Sequence, residues 1–341
     1  MKLIKTQEAV GQVLCHDITQ IIKGVTKDAV FRKGHIVTKE DIPVLLSIGK
    51  EHLYIWEADE NMLHENEAAE ILYTICKGEN MTGSEIKEGK IELLASCDGL
   101  LKIDIARLNK INALGEMMIA SRHGNFAVKE GDKLAGTRVI PLMIEKEKMQ
   151  QAKRIAGEIP LFNILPYRYH KVGIVTTGSE VYQRRIEDTF TPVISEKLQA
   201  FPTEIIKHIV CNDDHEMITK AIQECLDSGA EMVICTGGMS VDPDDRTPMA
   251  IKNVGARIVT YGAAVLPGAM FLLGYVGGHI PIMGLPGCVM YAKKTIFDLV
   301  LPRIMAGEIL NKEDFTVLGQ GGLCLSCSVC TFPNCGFGKG G

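Results

Sequence analysis

The sequence predicts an α/β chain whose second half folds around a mainly parallel sheet, preceded by a separate N-terminal α+β domain. Two observations carry this. From Lys171 onward, short runs rich in Ile and Val alternate with helical patterns, the sequence form of a parallel sheet flanked by helices. All such runs but the one ending at Cys211 end at a glycine-containing turn, which stops the strand and redirects the chain.

Taken in order, strands are expected at Lys171–Thr176, Glu204–Cys211, Glu231–Thr236, Arg257–Thr260 and His279–Gly284. Helices are expected near Thr191–Ala200, His215–Ser228, Pro248–Asn253 and Cys288–Met305. The first half reads differently, with a strand-like Glu51–Trp56, a helix-like Glu67–Lys77 and shorter β-type stretches at Ile91–Leu94, Leu100–Ile105 and Arg138–Ile144. A charged helical stretch, Glu145–Ala156, followed by Pro160 and Pro166, marks the junction. The expected division is 1–160 (accessory α+β domain), 161–310 (α/β domain) and 311–341 (cysteine-rich tail).

A chain of 341 residues with 46% hydrophobic and 23% charged residues is long enough for two buried cores. Its formal charge of -5 gives no general attraction to nucleic acid, so none is expected as a partner. The run from Tyr261 to Ala292 is almost free of charge, but seven glycines and three prolines interrupt it. Buried strands and tight turns are expected there, not a membrane span. The first ten residues have no secretory pattern, and a cytoplasmic location is expected.

In doubly wound sheets, ligands sit beyond the carboxyl ends of the strands. Three loops there are unusual: Thr177-Gly178-Ser179-Glu180, Gly237-Gly238-Met239-Ser240 and Gly284-Leu285-Pro286-Gly287. Glycine lets backbone amides approach an anion closely, and the start of the next helix adds positive polarity. Ser240 adds a hydroxyl, and Asp242, Asp244, Asp245 and Thr247 follow where the next helix begins. Asp245 has the chemistry to hold Mg²⁺ beside a phosphate, or to cap that helix. Glu180 and Asp213 follow two other strands; their plain readings are a solvated turn residue and a helix cap.

Together, Thr177-Gly178-Ser179-Glu180, Asp213-Asp214, Gly237-Gly238-x-Ser240 with Asp245 and Thr247, Pro267-Gly268 and Gly284-Leu285-Pro286-Gly287 resemble one family domain. It is the molybdopterin-binding domain of molybdopterin molybdenumtransferases of the MoeA and gephyrin type and of the related adenylyltransferases. The resemblance implies a three-layer α/β/α fold, with Glu180, Asp213 and Asp245 as the acidic pocket residues. It makes Thr177, Gly178, Ser179, Gly237, Gly238, Ser240, Thr247, Pro267, Gly268, Pro286 and Gly287 the ligand-binding set. The implied reaction is Mg²⁺-assisted insertion of molybdate, or tungstate, into adenylylated molybdopterin with release of AMP. A homodimer and a molybdo- or tungstoenzyme client are implied partners. Upstream, Phe31-Arg32-Lys33-Gly34-His35 through Ile48-Gly49 looks like part of the transferases' accessory region.

The departures from that pattern are specific. The family's PPFDNSAMDGYA segment is not found, Phe190 follows Asp188-Thr189 in place of asparagine, and the lysines of the KPGKP turn are replaced in Leu266-Pro267-Gly268-Ala269-Met270. The GNP triplet reads Gly287-Cys288-Val289, and only 34 residues follow Gly307.

Seven of the eleven cysteines are scattered singly, as buried thiols are in a reducing compartment. The other four, Cys324, Cys327, Cys330 and Cys335, fall within twelve residues in a Cys-x2-Cys-x2-Cys-x4-Cys run. That spacing points to a soft metal, either Zn²⁺ or an iron–sulfur cluster, against the plain reading of a disordered glycine-rich tail. His16, His35 and His123 are given no role. Three functions fit these features: the transferase, a non-catalytic pterin or cofactor carrier with a metal or redox tail, and another enzyme on the same domain.

Overall fold

The computed structural model describes residues 2–22, 26–55, 59–168, 170–240 and 245–340. Trp56, Tyr169, Val241, Asp242 and Asp244 lie outside them. Two compact units result. The first comprises Met1–Cys97, Leu101–Arg122 and Lys129–Ile164; the second comprises Asp98–Leu100, His123–Val128 and Leu165–Gly341.

In the first unit, Ala9, Leu14, Ile18, Val37, Leu45 and Leu53 form a small core around paired strands and the helix Asp41–Ser47. Further along, Met81–Gly83, Lys90–Ala95, Lys133–Val139 and Met117–Ser121 make an antiparallel sheet in that order. The expected stretch Arg138–Ile144 is therefore two strands, Lys133–Val139 and Met143–Glu145, with residues 140–142 between them. The helix expected from Glu67 begins at Glu65, because His64 and Glu67 form a reciprocal capping box that fixes its start. The charged helix is present as Lys146–Ala156.

The second unit is built on a six-stranded sheet in the order Thr203–Cys211, His170–Thr177, Met232–Thr236, Ile280–Leu285, Leu272–Val276, Arg257–Tyr261. The first four are parallel; Leu272–Val276 runs antiparallel to both of its neighbours. Alternation along each strand sends side chains to two faces. Val172, Ile174, Met232 and Ile234 meet the helices Phe190–Leu198 and Ile296–Met305 on one face. Val175, Val233 and Cys235 meet His215–Asp227 and Thr247–Asn253 on the other. The result is the expected three-layer α/β/α arrangement, and each fully buried aliphatic side chain contributes about 1.5–3 kcal/mol to it.

Two elements differ from expectation. The strand Leu272–Val276 lies within the glycine- and proline-rich run and was not singled out by its pattern. The helix expected from Cys288 is a short 3-10 turn, Gly287–Met290, and then a helix that starts only at Ile296. Thr295 and Asp298 form the capping box that sets this later start.

The tail is packed against the rest of its unit. Leu323 bridges Leu266, the Cys324 amide donates to the Leu266 carbonyl at 2.8 Å, and Phe337 is buried in the main core. Glycine permits this close approach: a Cβ on Gly322 would lie 2.3 Å from the Ala264 carbonyl oxygen, and one on Gly338 would lie 2.3 Å from Leu299.

Candidate functional site

Four parallel strands end side by side. Cys211 pairs with Thr177, Thr176 with Thr236, and Thr236 with Leu285, so the loops after all four leave the same edge of the sheet. The chain passes from His170–Thr177 outward to Thr203–Cys211 and then back across to Met232–Thr236. This reversal of strand order is where α/β sheets open a crevice for ligands. Gly178, Ser179, Glu180, Asp213, Gly237, Gly238, Pro286 and Gly287 all belong to these loops.

Hydrogen bonds tie the loops together. Asp213 Oδ2 accepts from the Ser179 amide at 2.7 Å and from the Ser179 hydroxyl at 2.9 Å, and the same hydroxyl donates to Asn212 Oδ1 at 2.5 Å. The helix-capping role belongs to the neighbouring residue: Asp214 accepts from the Glu216 and Met217 amides. Asp213 thus holds the Gly178–Glu180 turn, while Glu180 is exposed beside it.

The glycine loop is built around two threonines. Thr247 donates its hydroxyl to the Gly237 carbonyl at 2.8 Å, and its amide bonds the Gly238 carbonyl at 3.3 Å. Gly237 and Gly238 have φ of 81° and 56°, and a Cβ on Gly237 would lie 2.3 Å from the Thr177 carbonyl oxygen. No other residue fits that approach without strain. The loop returns to the helix Thr247–Asn253 through Asp245, which is half-buried, and Arg246; the helix has no side-chain N-cap. Tyr261 closes the far side, its hydroxyl 3.3 Å from the Met239 and Ser240 carbonyls. Burial, with a smaller contribution from the Asp245 charge, raises the Tyr261 phenol above its ordinary pKa and keeps it a donor.

Beneath these loops the hydroxyls of Thr177 and Thr236 are buried and find no hydrogen-bond partner among the described residues. A buried hydroxyl in that state costs free energy unless a ligand or water supplies the bond.

A second polar group was not anticipated. The Thr176 hydroxyl meets Thr191 at 3.1 Å, His208 Nε2 at 3.1 Å and Asp188 at 3.4 Å. Burial pushes the Asp188 carboxyl up, but hydrogen bonds from the Thr191 hydroxyl and amide and the Phe190 amide outweigh it, so its pKa is lowered. The one sequence signal was a hydroxyl pair, Thr176-Thr177, ending an otherwise aliphatic strand.

Pro267 and Gly268 are placed elsewhere than the glycine loop. Their turn meets the start of the helix Ile296–Met305, where the Pro267 carbonyl accepts from the Ile296 amide at 3.2 Å. Gly268 is packed so closely that a Cβ would lie 2.5 Å from Ile296 Cγ2. The four tail cysteines share a cavity with Pro267, Lys293 and Lys294. Among the described residues, no three His, Cys, Asp or Glu side chains stand close enough to hold one metal ion.

Residues 173–306 match the family profile described as "Probable molybdopterin binding domain". The second unit carries this domain. A second profile, described as a domain of unknown function, matches residues 3–57. The chain is similar to a molybdopterin molybdenumtransferase of Synechococcus elongatus, 25% identical over 202 residues, covering 54% of this chain and 47% of the relative. A molybdopterin molybdenumtransferase of Haemophilus influenzae is 25% identical over 238 residues, covering 66% of this chain and 54% of the relative. The chain therefore spans about half the length of these two curated relatives. Among solved structures, the molybdopterin biosynthesis enzyme MoaB from Thermus thermophilus is similar at 23% identity and a TM-score of 0.34, covering 41% of this chain and 98% of MoaB. No helix among the described residues is long and apolar enough to cross a membrane.

Proposed function

We propose that the crevice at the carboxyl edge of the sheet binds molybdopterin and that the chain inserts molybdate or tungstate into adenylylated molybdopterin. In this reaction water cleaves the phosphoanhydride of the adenylylated pterin and AMP leaves; the pterin's two thiols then bond the metal of the oxyanion, and their two protons leave with one displaced oxide as water. The observation that carries the reading is the pair of hydroxyls, Thr177 and Thr236, that find no partner among the described residues and lie under a loop whose two glycines have positive φ.

The residues divide the work by chemistry. Gly237, Gly238, Ser240 and Thr247 cradle the phosphate end, with Gly178, Ser179, Pro286 and Gly287 forming the walls. Asp213 keeps the Ser179 turn in place through its two hydrogen bonds. Glu180 is the exposed carboxylate nearest that turn and serves as the proton acceptor for the attacking water. Asp245 would hold Mg²⁺ together with the ligand's own phosphates, since Mg²⁺ commonly takes only one or two protein carboxylates. That ion would supply neutralisation of phosphate charge.

The wider reading is a cytoplasmic homodimer that passes the finished cofactor to a molybdo- or tungstoenzyme client. The tail cysteines bind a soft metal in this scheme. The test is AMP release from purified full-length chain with adenylylated molybdopterin, molybdate and Mg²⁺. Release above a protein-free control is expected. Pterin binding without release would replace the enzyme with the carrier reading, and no pterin binding would remove both.

A further inference from the structure

The loop that follows His170–Thr177, residues 178–189, carries Ser179 and Glu180 at its start and is tied down at both ends. At the near end Asp213 accepts from the Ser179 amide and hydroxyl. At the far end Asp188 accepts from the Phe190 and Thr191 amides at 2.9 and 3.1 Å and from the Thr191 hydroxyl at 2.5 Å. That hydroxyl also meets His208 Nε2 at 3.1 Å, which joins the loop's end to the strand Thr203–Cys211. The path between the anchors is set.

Between the anchors the chain folds back on Glu180. The Glu180 carbonyl accepts from the Arg185 amide at 2.8 Å and from the Ile186 amide at 3.4 Å, and the Val181 carbonyl accepts from the Arg184 amide at 3.0 Å. This turn puts Arg184 at φ 55°, in the left-handed region where a Cβ is strained and glycine is not. An arginine at that position contributes a side chain that the unstrained residue lacks. Arg184 and Arg185 are both exposed, and neither forms an ion pair with a described residue.

The surrounding loops leave these two guanidinium groups a specific task. Among the described residues, the loops after His170–Thr177, Thr203–Cys211 and Met232–Thr236 carry six carboxylates, Glu180, Glu187, Asp188, Asp213, Asp214 and Asp245, and only three cations, Arg184, Arg185 and Arg246. A glycine loop with a helix start behind it serves one phosphate group, whereas an adenylylated pterin brings two, joined as an anhydride. Guanidinium suits the second phosphate. It stays charged at every ordinary pH and meets a phosphate through two parallel N–H bonds.

We propose that Arg184 and Arg185 bind the adenylyl phosphate of the ligand, the one that leaves with AMP, and so distinguish adenylylated from free molybdopterin. The inference rests on the crevice being the pterin site and assigns the source of its selectivity. The arginines make and break no covalent bond. They hold the phosphate while it is part of the anhydride and balance the charge that appears on it as AMP departs.

The experiment compares equilibrium binding of molybdopterin and of adenylylated molybdopterin, in Mg²⁺, to the full chain and to its Arg184→Gln/Arg185→Gln and Arg184→Lys/Arg185→Lys variants. The glutamine variant is expected to lose about ten-fold or more in affinity for the adenylylated ligand while its affinity for molybdopterin stays within about threefold. The lysine variant should fall between, because it keeps the charge and loses the paired bonds. Added NaCl should weaken binding of the adenylylated ligand more steeply in the unaltered chain than in the glutamine variant. Equal affinity of those two proteins for the adenylylated ligand would overturn the proposal and make the arginines a solvated face. Equal losses for both ligands would also overturn it, since the arginines would then serve the phosphate that both ligands share. Binding of neither ligand by the unaltered chain would instead remove the crevice reading on which the proposal stands.

Discussion

The sheet-edge crevice and the cysteine cavity are organised in opposite ways. At the crevice Asp213 holds Ser179 and Thr247 holds Gly237, while the Thr177 and Thr236 hydroxyls find no partner among the described residues. Around the cavity the four thiols face a shared space without meeting. Hydrogen bonds within the chain fix the loops of the first region, whereas among the described residues no three of the cysteines stand close enough to share one metal ion. Preorganisation of this kind favours recognition of one fixed ligand.

The largest effect should come from the charged group beside the cavity. Asp298 is 7% exposed in its side chain and serves two lysines, of which Lys197 is 16% exposed. Asp298→Ala leaves both cations without their partner and removes a helix capping box, and should cost about 3–5 kcal/mol in denaturant unfolding. A loss below about 1 kcal/mol would mean that the lysines reach water and gain little from the pairing.

At the crevice, Asp245→Asn should lower AMP release by about 100- to 1000-fold while molybdopterin affinity stays within about threefold. Equal losses in binding and turnover would make Asp245 a ligand contact and no longer a metal ligand. Gly237→Ala puts a side chain at φ 81° and against Thr177, which should cost about 1–3 kcal/mol and loosen the preset loop. Unchanged stability would show that the loop yields easily, and the contrast between the two regions would fail.

The smallest effect concerns acid. The folded-state pKa of Asp188 is depressed, so its contribution to stability is fully present above the ordinary carboxylate value of about 3.9 and is lost as pH falls through its lower folded value. Unfolding midpoints measured from neutral to strongly acidic pH should show a shallower acid limb for Asp188→Asn. An identical slope would remove Asp188 from the set of groups that rigidify the crevice.

The second unit was legible chiefly because its central strands His170–Thr177, Met232–Thr236 and Ile280–Leu285 are buried on both faces and therefore read as nearly continuous aliphatic runs. His170–Thr177, Thr203–Cys211 and Met232–Thr236 fall within one residue of expectation. The strand Leu272–Val276 was hidden because glycine and proline punctuate both sides of it, and turn signals outweighed a five-residue strand. The helix starting at Ile296 was misplaced because the Thr295–Asp298 capping box lies inside a stretch, Cys288–Met305, that reads as one helical pattern.

The loops of the crevice were visible as glycine and carboxylate motifs, but the division of labour between Asp213 and Asp214 was not. Adjacent aspartates carry the same sequence signal, and only the backbone path decides which faces the next helix and which faces Ser179. The cluster of Thr176, Asp188, Thr191 and His208 joins three separate segments, so no local spacing announces it.

The most direct test of the account is equilibrium binding of molybdopterin to the full chain, followed by pterin fluorescence after oxidation, with Thr177→Val and Gly237→Ala measured alongside. Saturable binding at one site per chain, weakened about ten-fold or more in both variants, is the predicted result. Absence of saturable binding, or equal affinity in all three proteins, would contradict the assignment of the ligand to this crevice.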